Sequence, residues 1–510
     1  EEIIERVGFW GPYPSIGDDI IRSLAPGDLI TSNWMGYSRE AQPMVERMWR
    51  MISNGYHGVW WWRWDNVGRF HGFLAPDFHP WDDTSQPVID EMADIRDGVG
   101  TMMLQMDMPH DGIGLLYSMP SAYADGVAPH RRGPLPAAHG AFLEGSQDLG
   151  FAAHYLSDES VLEGDLTEGD ERALLLPLGR AMSDAVAAEV REFVRGGGLL
   201  VADLRPAIRD GHCKLREAGA LDDVFGVAQR PNAAHFPELA EVSLQLVTSL
   251  GGEEVRLETN TRIDPALEVT TGEAHAEHDG APLLVVNQFG EGTAVLLNFS
   301  IDEYLTLREE MQEMPIRGLL SAIYALAETE PPHEQDAAGG PLRWTETVRW
   351  ETDGLTLLMH FRSDGEDGPA TTVLPEAKHA YDLRHDRYLG ERREVGGRLR
   401  VGFANLYALT DKPIGELVAS VREDVVAQGG EVRATVRVRG GGQGLLPMRL
   451  RVFRPDGTEQ TWPRREVVAE DGAAEVTIPV AFNATPGTWR IEAREVLSGQ
   501  VAEVEYEVEA

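Results

Sequence analysis

The sequence predicts a multidomain α/β plus all-β protein, with the α/β part over residues 1–330 and the all-β part over 341–510. Three observations predict it. Short apolar runs alternate with helix-period segments as far as residue 330. The stretch 328–340, with Pro331-Pro332 and Gly339-Gly340, reads as a linker. After it no long helical pattern recurs, and turn signals return about every 8–12 residues. A chain of 510 residues has room for about three or four domains, each burying its own core.

Residues 1–105 open with the apolar run Arg6-Val7-Gly8-Phe9-Trp10-Gly11, ended by the turn-forming Pro12-Tyr13-Pro14. Asp28-Leu29-Ile30-Thr31-Ser32-Asn33-Trp34 is a second strand. Met44, Val45, Met48, Trp49 and Ile52 then recur at helical spacing up to Asn54-Gly55, with Glu40 in the first turn. Gly58-Val59-Trp60-Trp61-Trp62-Arg63-Trp64 is apolar on both faces, as a buried parallel strand is. A helix over 88–103 follows.

From residue 111 the βα pattern repeats. Gly112-Ile113-Gly114-Leu115-Leu116-Tyr117-Ser118 and Ala173-Leu174-Leu175-Leu176-Pro177-Leu178 are strands. The helix over 183–195 places Val186, Val190, Phe193 and Val194 on one face and ends at Gly196-Gly197-Gly198, which leads into the strand Leu199-Leu200-Val201-Ala202-Asp203. Strands over 282–287 and 293–299 flank the turn Phe289-Gly290-Glu291-Gly292, and a helix over 305–327 closes the domain. The alternation implies an open, mostly parallel sheet covered on both faces. Beyond the linker, Val432, Ala434, Val436 and Val438 alternate with Arg433, Thr435 and Arg437 at period two, and Arg449-Leu450-Arg451-Val452-Phe453 is a further strand. Two β modules are expected, a small one over 341–412 and an immunoglobulin-like one over 413–510.

Composition narrows the chemistry. With 45 basic and 84 acidic side chains the net charge is −39, which repels phosphate backbones and argues against nucleic acid as a partner. No run approaches the roughly 18 apolar residues of a transmembrane helix. One cysteine, Cys213, leaves no internal disulfide and no cysteine-rich zinc site. Only Lys214, Lys378 and Lys412 are lysines, which fits GC-rich coding and also a salt-adapted surface. Eight of the 12 tryptophans fall within the first 81 residues, so a flat apolar ligand face is to be sought there. Gly290-Glu291-Gly292 and Gly196-Gly197-Gly198 are too short for a dinucleotide or phosphate loop, and no cofactor is expected.

Taken together, Met48-Trp49, Asn54-Gly55-Tyr56-His57-Gly58 through Trp64, and Phe70-His71-Gly72 resemble the last helix, strand and loop of the (β/α)8 barrel of glycoside hydrolase family 42 β-galactosidases. Ile113-Gly114-Leu115-Leu116-Tyr117-Ser118-Met119-Pro120-Ser121, the Gly196–Asp203 stretch and Leu221-Asp222-Asp223-Val224-Phe225-Gly226-Val227 resemble that family's flavodoxin-like trimerisation domain, whose fold is similar to class I glutamine amidotransferases. Tyr381-Asp382-Leu383-Arg384 and Asn483-Ala484-Thr485-Pro486-Gly487-Thr488-Trp489 are similar to accessory β modules. The resemblance implies a barrel end over 1–105, the flavodoxin-like domain over 106–330, and the two β modules. A barrel needs about 250 residues, so the resemblance implies the C-terminal portion of a longer protein, beginning near barrel strand six.

Retaining glycosidases use two carboxyl groups about 5–5.5 Å apart. By the resemblance, the acid/base would follow a barrel strand that precedes this chain, and the nucleophile would stand in Thr31-Ser32-Asn33-Trp34-Met35, which holds no glutamate. The catalytic residues stay unassigned. The substrate-binding candidates are Trp64, Trp62, Arg63 and Asp65: indoles pack on the C–H faces of sugars, and charged groups hydrogen-bond their hydroxyls. Alternation sets Trp60, Trp62 and Trp64 on one face and Trp61, Arg63 and Asp65 on the other. The resemblance gives Trp64 the place of a substrate-contacting tryptophan, whereas barrel filling accounts for Trp60 and Trp61. His71, Asp77, His79, Asp82 and Asp83 match no metal template and read as solvated loop residues, so no metal site is expected. Asp18 and Asp19 read equally as mouth residues or as a helix N-terminus. Cys213, in Arg209-Asp210-Gly211-His212-Cys213-Lys214, does not end an apolar strand, and an amidotransferase nucleophile is rejected.

The expected function is that of a β-galactosidase-like glycoside hydrolase whose catalytic pair is incomplete in this chain. The alternative is a non-catalytic sugar-binding or assembly protein built from the same domains. The expected ligand is an oligo- or polysaccharide, and the resemblance implies a homotrimer. Localisation stays open, with periplasmic or secreted favoured over cytoplasmic.

Overall fold

The computed structural model describes residues 6–11, 17–25, 27, 29–64, 72–126, 135–230, 238–336, 342–440, 444–469 and 471–510. The chain forms two compact units, one of residues 1–31 and 110–332, the other of residues 32–109 and 333–510.

The first unit is built on a seven-stranded sheet. Its order is Glu273–His278, Ala281–Phe289, Gly292–Leu297, Leu199–Asp203, Ala173–Leu176, Ile113–Tyr117, His154–Ser157. The last five run parallel and the first two join as antiparallel neighbours. Counted along the chain, the parallel strands stand in the order 2-1-3-4-5. Side chains alternate between two cores. Leu115, Leu175, Val201 and Val295 face Phe142, Leu319 and Tyr324 of the helices Leu135–Asp148 and Met314–Tyr324. Leu116, Leu174, Leu200 and Leu296 face Val186, Val190 and Phe193 of Asp184–Arg195. Both faces are covered, which is why these strands read as continuous apolar runs. The Ser183 side chain, read from sequence as the first helical residue, instead caps Asp184–Arg195 by accepting from Val186 N–H at 3.2 Å.

Four sequence expectations need correction. The helix over 305–327 is two helices, Tyr304–Glu309 and Met314–Tyr324, because Met311 takes a left-handed φ of 59° and Pro315 starts the second. The helix over 88–103 is likewise broken: Ser85–Glu91 and Gly100–Met103 are separated where Gly98 adopts φ 131°. The linker over 328–340 contains a strand, Glu334–Asp336, paired with Thr371–Val373. The fourth concerns the tryptophan strand. It spans only Gly58–Trp61, an edge strand paired in parallel with residues 32–35, and its tryptophans are not buried.

Sequence reading also missed the longest hairpin of the first unit. Ala240–Leu250 and Glu253–Ile263 pair through Gly251-Gly252, at φ 59° and 87°. Two positive φ values are what a type I′ turn requires, and glycine meets them without a Cβ clash.

In the second unit, Met44, Met48 and Trp49 of the helix Ala41–Ser53 share a core with Leu357 and Met359 of a six-stranded antiparallel sheet spanning 334–410. The same core continues into two facing sheets of three and five strands over 416–509. There Val432, Ala434, Val436 and Val438 are buried as their spacing predicts, opposite Leu450, Val452 and Ile491. No described helix is long and apolar enough to cross a membrane.

Candidate functional site: an exposed tryptophan ledge

The strands Ile30–Met35 and Gly58–Trp61 pair in parallel with Trp34 opposite Trp60. Their rings lie 5.8 Å apart, tilted by 33°, and Trp62 meets Trp34 edge-on at 6.1 Å. The pairing runs one residue past the strand, since Trp62 N–H donates to Met35 C=O at 2.8 Å. Gly36 makes that approach feasible: at φ 92°, a Cβ there would stand 2.8 Å from the Trp61 ring and 2.9 Å from the Trp62 carbonyl oxygen.

The returning chain fixes the other side. Phe73 N–H donates to Arg63 C=O at 2.7 Å, and Leu74 N–H to Trp64 C=O at 2.9 Å. Trp81 Nε1 donates to Gly72 C=O at 3.0 Å, and the Ser85 hydroxyl to Phe73 C=O at 2.7 Å. Trp61 packs on Phe73 at 4.5 Å, and Trp64 pairs with Phe78 at 6.3 Å and 31°. The alternation expected from sequence holds in exposure: Trp60, Trp62 and Trp64 are 46%, 38% and 62% exposed, whereas Trp61 and Arg63 are half-buried. With Phe78 at 72%, these rings present an apolar ledge to solvent. Large exposed aromatic patches of this kind mark recognition surfaces.

Of the four predicted substrate residues, Trp62, Arg63 and Trp64 lie together on this segment. Asp65, like Asn66 and His71, lies outside the described residues. Trp34 and Phe78 were missed as partners; their aromatic character was visible in the sequence, but the register and return loop that bring them in were not.

No carboxylate stands in Thr31–Met35, and Glu40 is exposed at the N-cap of Ala41–Ser53, where its side chain makes no capping hydrogen bond. Two carboxyls of this segment are held above their ordinary range, Glu46 and Asp94. Burial raises each, and Arg50 and Arg384 respectively pull back. Both lie against the 334–410 sheet: Glu46 packs near Gly402, and Asp94 pairs with Arg384 at 3.3 Å. Asp77, His79, Asp82 and Asp83 are exposed, and Asp77 accepts from His79 N–H at 3.2 Å in a local turn. In the first unit, Asp18 and Asp19 both sit in the first turn of Gly17–Leu24, and Asp19 faces Arg22 at 3.9 Å. Cys213 occupies a turn at φ 63° and donates to Pro120 C=O at 3.1 Å.

The first unit has its own polar cleft of 470 Å³, beyond the carboxyl ends of its parallel strands. Arg180, Arg262, Glu241 and Asp302 line it. Just beneath its rim, the buried Asp203 accepts from Leu178 N–H; burial pushes its carboxyl up to about 7, against the pull of that bond and of Arg180. Ligand clefts of open α/β sheets lie at this end.

No family model and no curated protein matches the sequence. Solved structures do. A catalytic mutant of a GH42 β-galactosidase from G. stearothermophilus matches with a TM-score of 0.59 at 15% identity, covering 80% of this chain and 60% of that one. The β-galactosidase of Bacillus circulans sp. alkalophilus matches at 0.54 and 12%, over 75% and 60%. A polyextremophilic β-galactosidase from the Antarctic haloarchaeon Halorubrum lacusprofundi matches at 0.52 and 16%, over 78% and 55%. The chain spans at most 60% of the length of these neighbours. In fold, this is a protein like the glycoside hydrolase family 42 β-galactosidases.

Proposed function

We propose that the chain is a carbohydrate-active portion of a β-galactosidase-type glycoside hydrolase, and that the tryptophan ledge is its sugar-contacting surface. The observation that carries this is the exposure of Trp60, Trp62 and Trp64 at the carboxyl end of parallel strands. That is the end at which barrel enzymes bind substrate. On this reading the paired parallel strands of residues 32–35 and 58–61 belong to a (β/α)8 barrel. The 2-1-3-4-5 sheet is the flavodoxin-like domain through which a homotrimer forms, and the last β module is immunoglobulin-like. Arg63 and Asp65 supply hydrogen bonds to sugar hydroxyls while the indoles cover the C–H faces. The whole enzyme would cleave the glycosidic bond with a carboxylic acid/base and a carboxylate nucleophile.

A second reading, a non-catalytic sugar-binding or assembly protein, is favoured by the absence of a carboxylate from Thr31–Met35. One set of measurements tests the ledge and the incomplete pair that both readings share. Titration with galacto-oligosaccharides is expected to quench tryptophan fluorescence, and Trp64→Ala and Trp62→Ala each to weaken binding by about tenfold, the ~1.4 kcal/mol scale of one lost aromatic contact. Unaltered affinity in both variants would remove the ledge from the site. Under either reading this chain alone is expected not to hydrolyse a chromogenic β-galactoside, so turnover would overturn the incomplete pair.

A further inference from the structure

The amino-terminal edge of the first unit's sheet, opposite its polar cleft, gathers three potential ligands from three neighbouring strands. His110 precedes Ile113–Tyr117, His154 begins His154–Ser157, and Glu171 precedes Ala173–Leu176. Because Ile113–Tyr117 pairs with both other strands, with Gly114 opposite His154 and Ile113 opposite Ala173, the three side chains converge. His154 Nε2 lies 2.9 Å from Glu171 Oε1; His110 Nδ1, which accepts a long 3.3 Å hydrogen bond from Gly112 N–H that a bound ion would replace, lies 3.9 Å from it, and the two imidazole rings are 3.9 Å apart. One donor atom from each residue fits within 4.8 Å of the others.

Two further observations point to a cation. The Glu171 side chain is only 3% exposed, yet its Oε2 accepts no hydrogen bond and sits so close that a Cβ on Gly114 would be 3.1 Å away. A buried carboxylate oxygen without a partner is costly unless a positive charge meets it. The cleft over the cluster, 600 Å³ in volume, is lined by Glu163, Asp165, Glu168 and Asp170 and by no lysine or arginine among the described residues.

We infer that His110, His154 and Glu171 form a binding site for a divalent transition-metal ion of the zinc type. Two borderline imidazole nitrogens beside one carboxylate oxygen suit Zn²⁺ better than Ca²⁺ or Mg²⁺, which take mainly oxygen. Tetrahedral donors about 2.1 Å from zinc stand about 3.4 Å apart, and the observed 2.9 and 3.9 Å bracket that spacing. The fourth position falls to water from the cleft. Such an ion would tie together three strand ends, so binding stabilises the fold. No metal was expected from the sequence because the ligands are far apart in it and match no spaced motif.

The test uses the whole chain, stripped with chelator and titrated with ZnCl₂ by calorimetry. One Zn²⁺ per chain is expected, with a rise in Tm. His110→Ala, at an exposed position whose loss leaves the core intact, is expected to weaken Zn²⁺ binding by about 100-fold and to abolish the Tm rise. Glu171→Gln should do the same. With Co²⁺ as the probe, the visible ligand-field bands of the wild-type chain should disappear in His110→Ala. A wild-type chain that takes up no Zn²⁺, or a His110→Ala chain that binds it with unchanged affinity and unchanged Co²⁺ bands, would overturn the site and leave a plain His154–Glu171 ion pair.

Discussion

Trp34 and Trp60 form an in-register cross-strand pair, with ring centroids 5.8 Å apart, although they belong to separate strands joined through a helix. Such pairs contribute about 0.5–1.5 kcal/mol beyond the area they bury. A double-mutant cycle of Trp34→Ala and Trp60→Ala, followed by urea denaturation, should return a coupling energy in that range. Strict additivity would mean that the rings are neighbours without mutual stabilisation.

Gly36→Ala should be costly despite its small size. The residue sits at φ 92° with the Trp61 ring and the Trp62 backbone against it, and a left-handed non-glycine residue alone costs about 1–3 kcal/mol. The expected outcome is a lower Tm together with a red-shifted tryptophan emission as the ledge is pushed apart. An unchanged emission spectrum would show that the ledge does not depend on this approach.

Asp203 gives the first unit a specific pH dependence. Burial is the main cause of its raised pKa of about 7, against an ordinary 3.8. Between these values the folded chain retains a proton that the unfolded chain has lost. The group's contribution to stability is therefore complete below about pH 4 and falls, by at most ~1.4 kcal/mol per pH unit, as pH rises through 7. Asp203→Asn keeps an acceptor for Leu178 N–H and removes the titration. The variant's stability relative to wild type should therefore increase from pH 4 to pH 7, and a flat difference would contradict the buried protonated carboxyl.

Two buried histidines act in the opposite sense. His139, between Tyr117 and Tyr155, and His360, hydrogen-bonded to Thr372, are each pushed down to about 4 by burial. Both are neutral in the fold and charge on unfolding below pH 6.5, so the stability they contribute is lost as pH falls from 6.5 to 4. His360→Gln should flatten the decline in Tm over that window, measured against wild type.

The net charge of −39 predicts a salt response. Self-repulsion among surface carboxylates is screened over about 10 Å at 0.1 M salt and about 3 Å at 1 M. Tm should therefore rise with KCl across this range. A constant Tm would favour coding bias over salt adaptation as the reason for only three lysines.

Local pattern alone determined much of this protein. The period-two run from Val432 to Val438, the Ser183-capped helix and the continuous apolar strands all form as their side-chain spacing dictates. The same spacing overreached where one backbone angle decides, as at Gly98 and Met311, because a single left-handed residue breaks a helix that hydrophobic periodicity would continue. The paired glycines of the Gly251-Gly252 hairpin are a turn signal legible in the sequence. Only the tertiary structure settled what surrounds each strand. Gly58–Trp61 reads as a buried strand, yet it stands at a sheet edge with Trp60 and Trp62 in solvent. Likewise, His110, His154 and Glu171 meet only because strand order makes their three strands neighbours. Strand order and register are set by long-range pairing, and side-chain spacing along one segment carries no record of which segment will lie beside it.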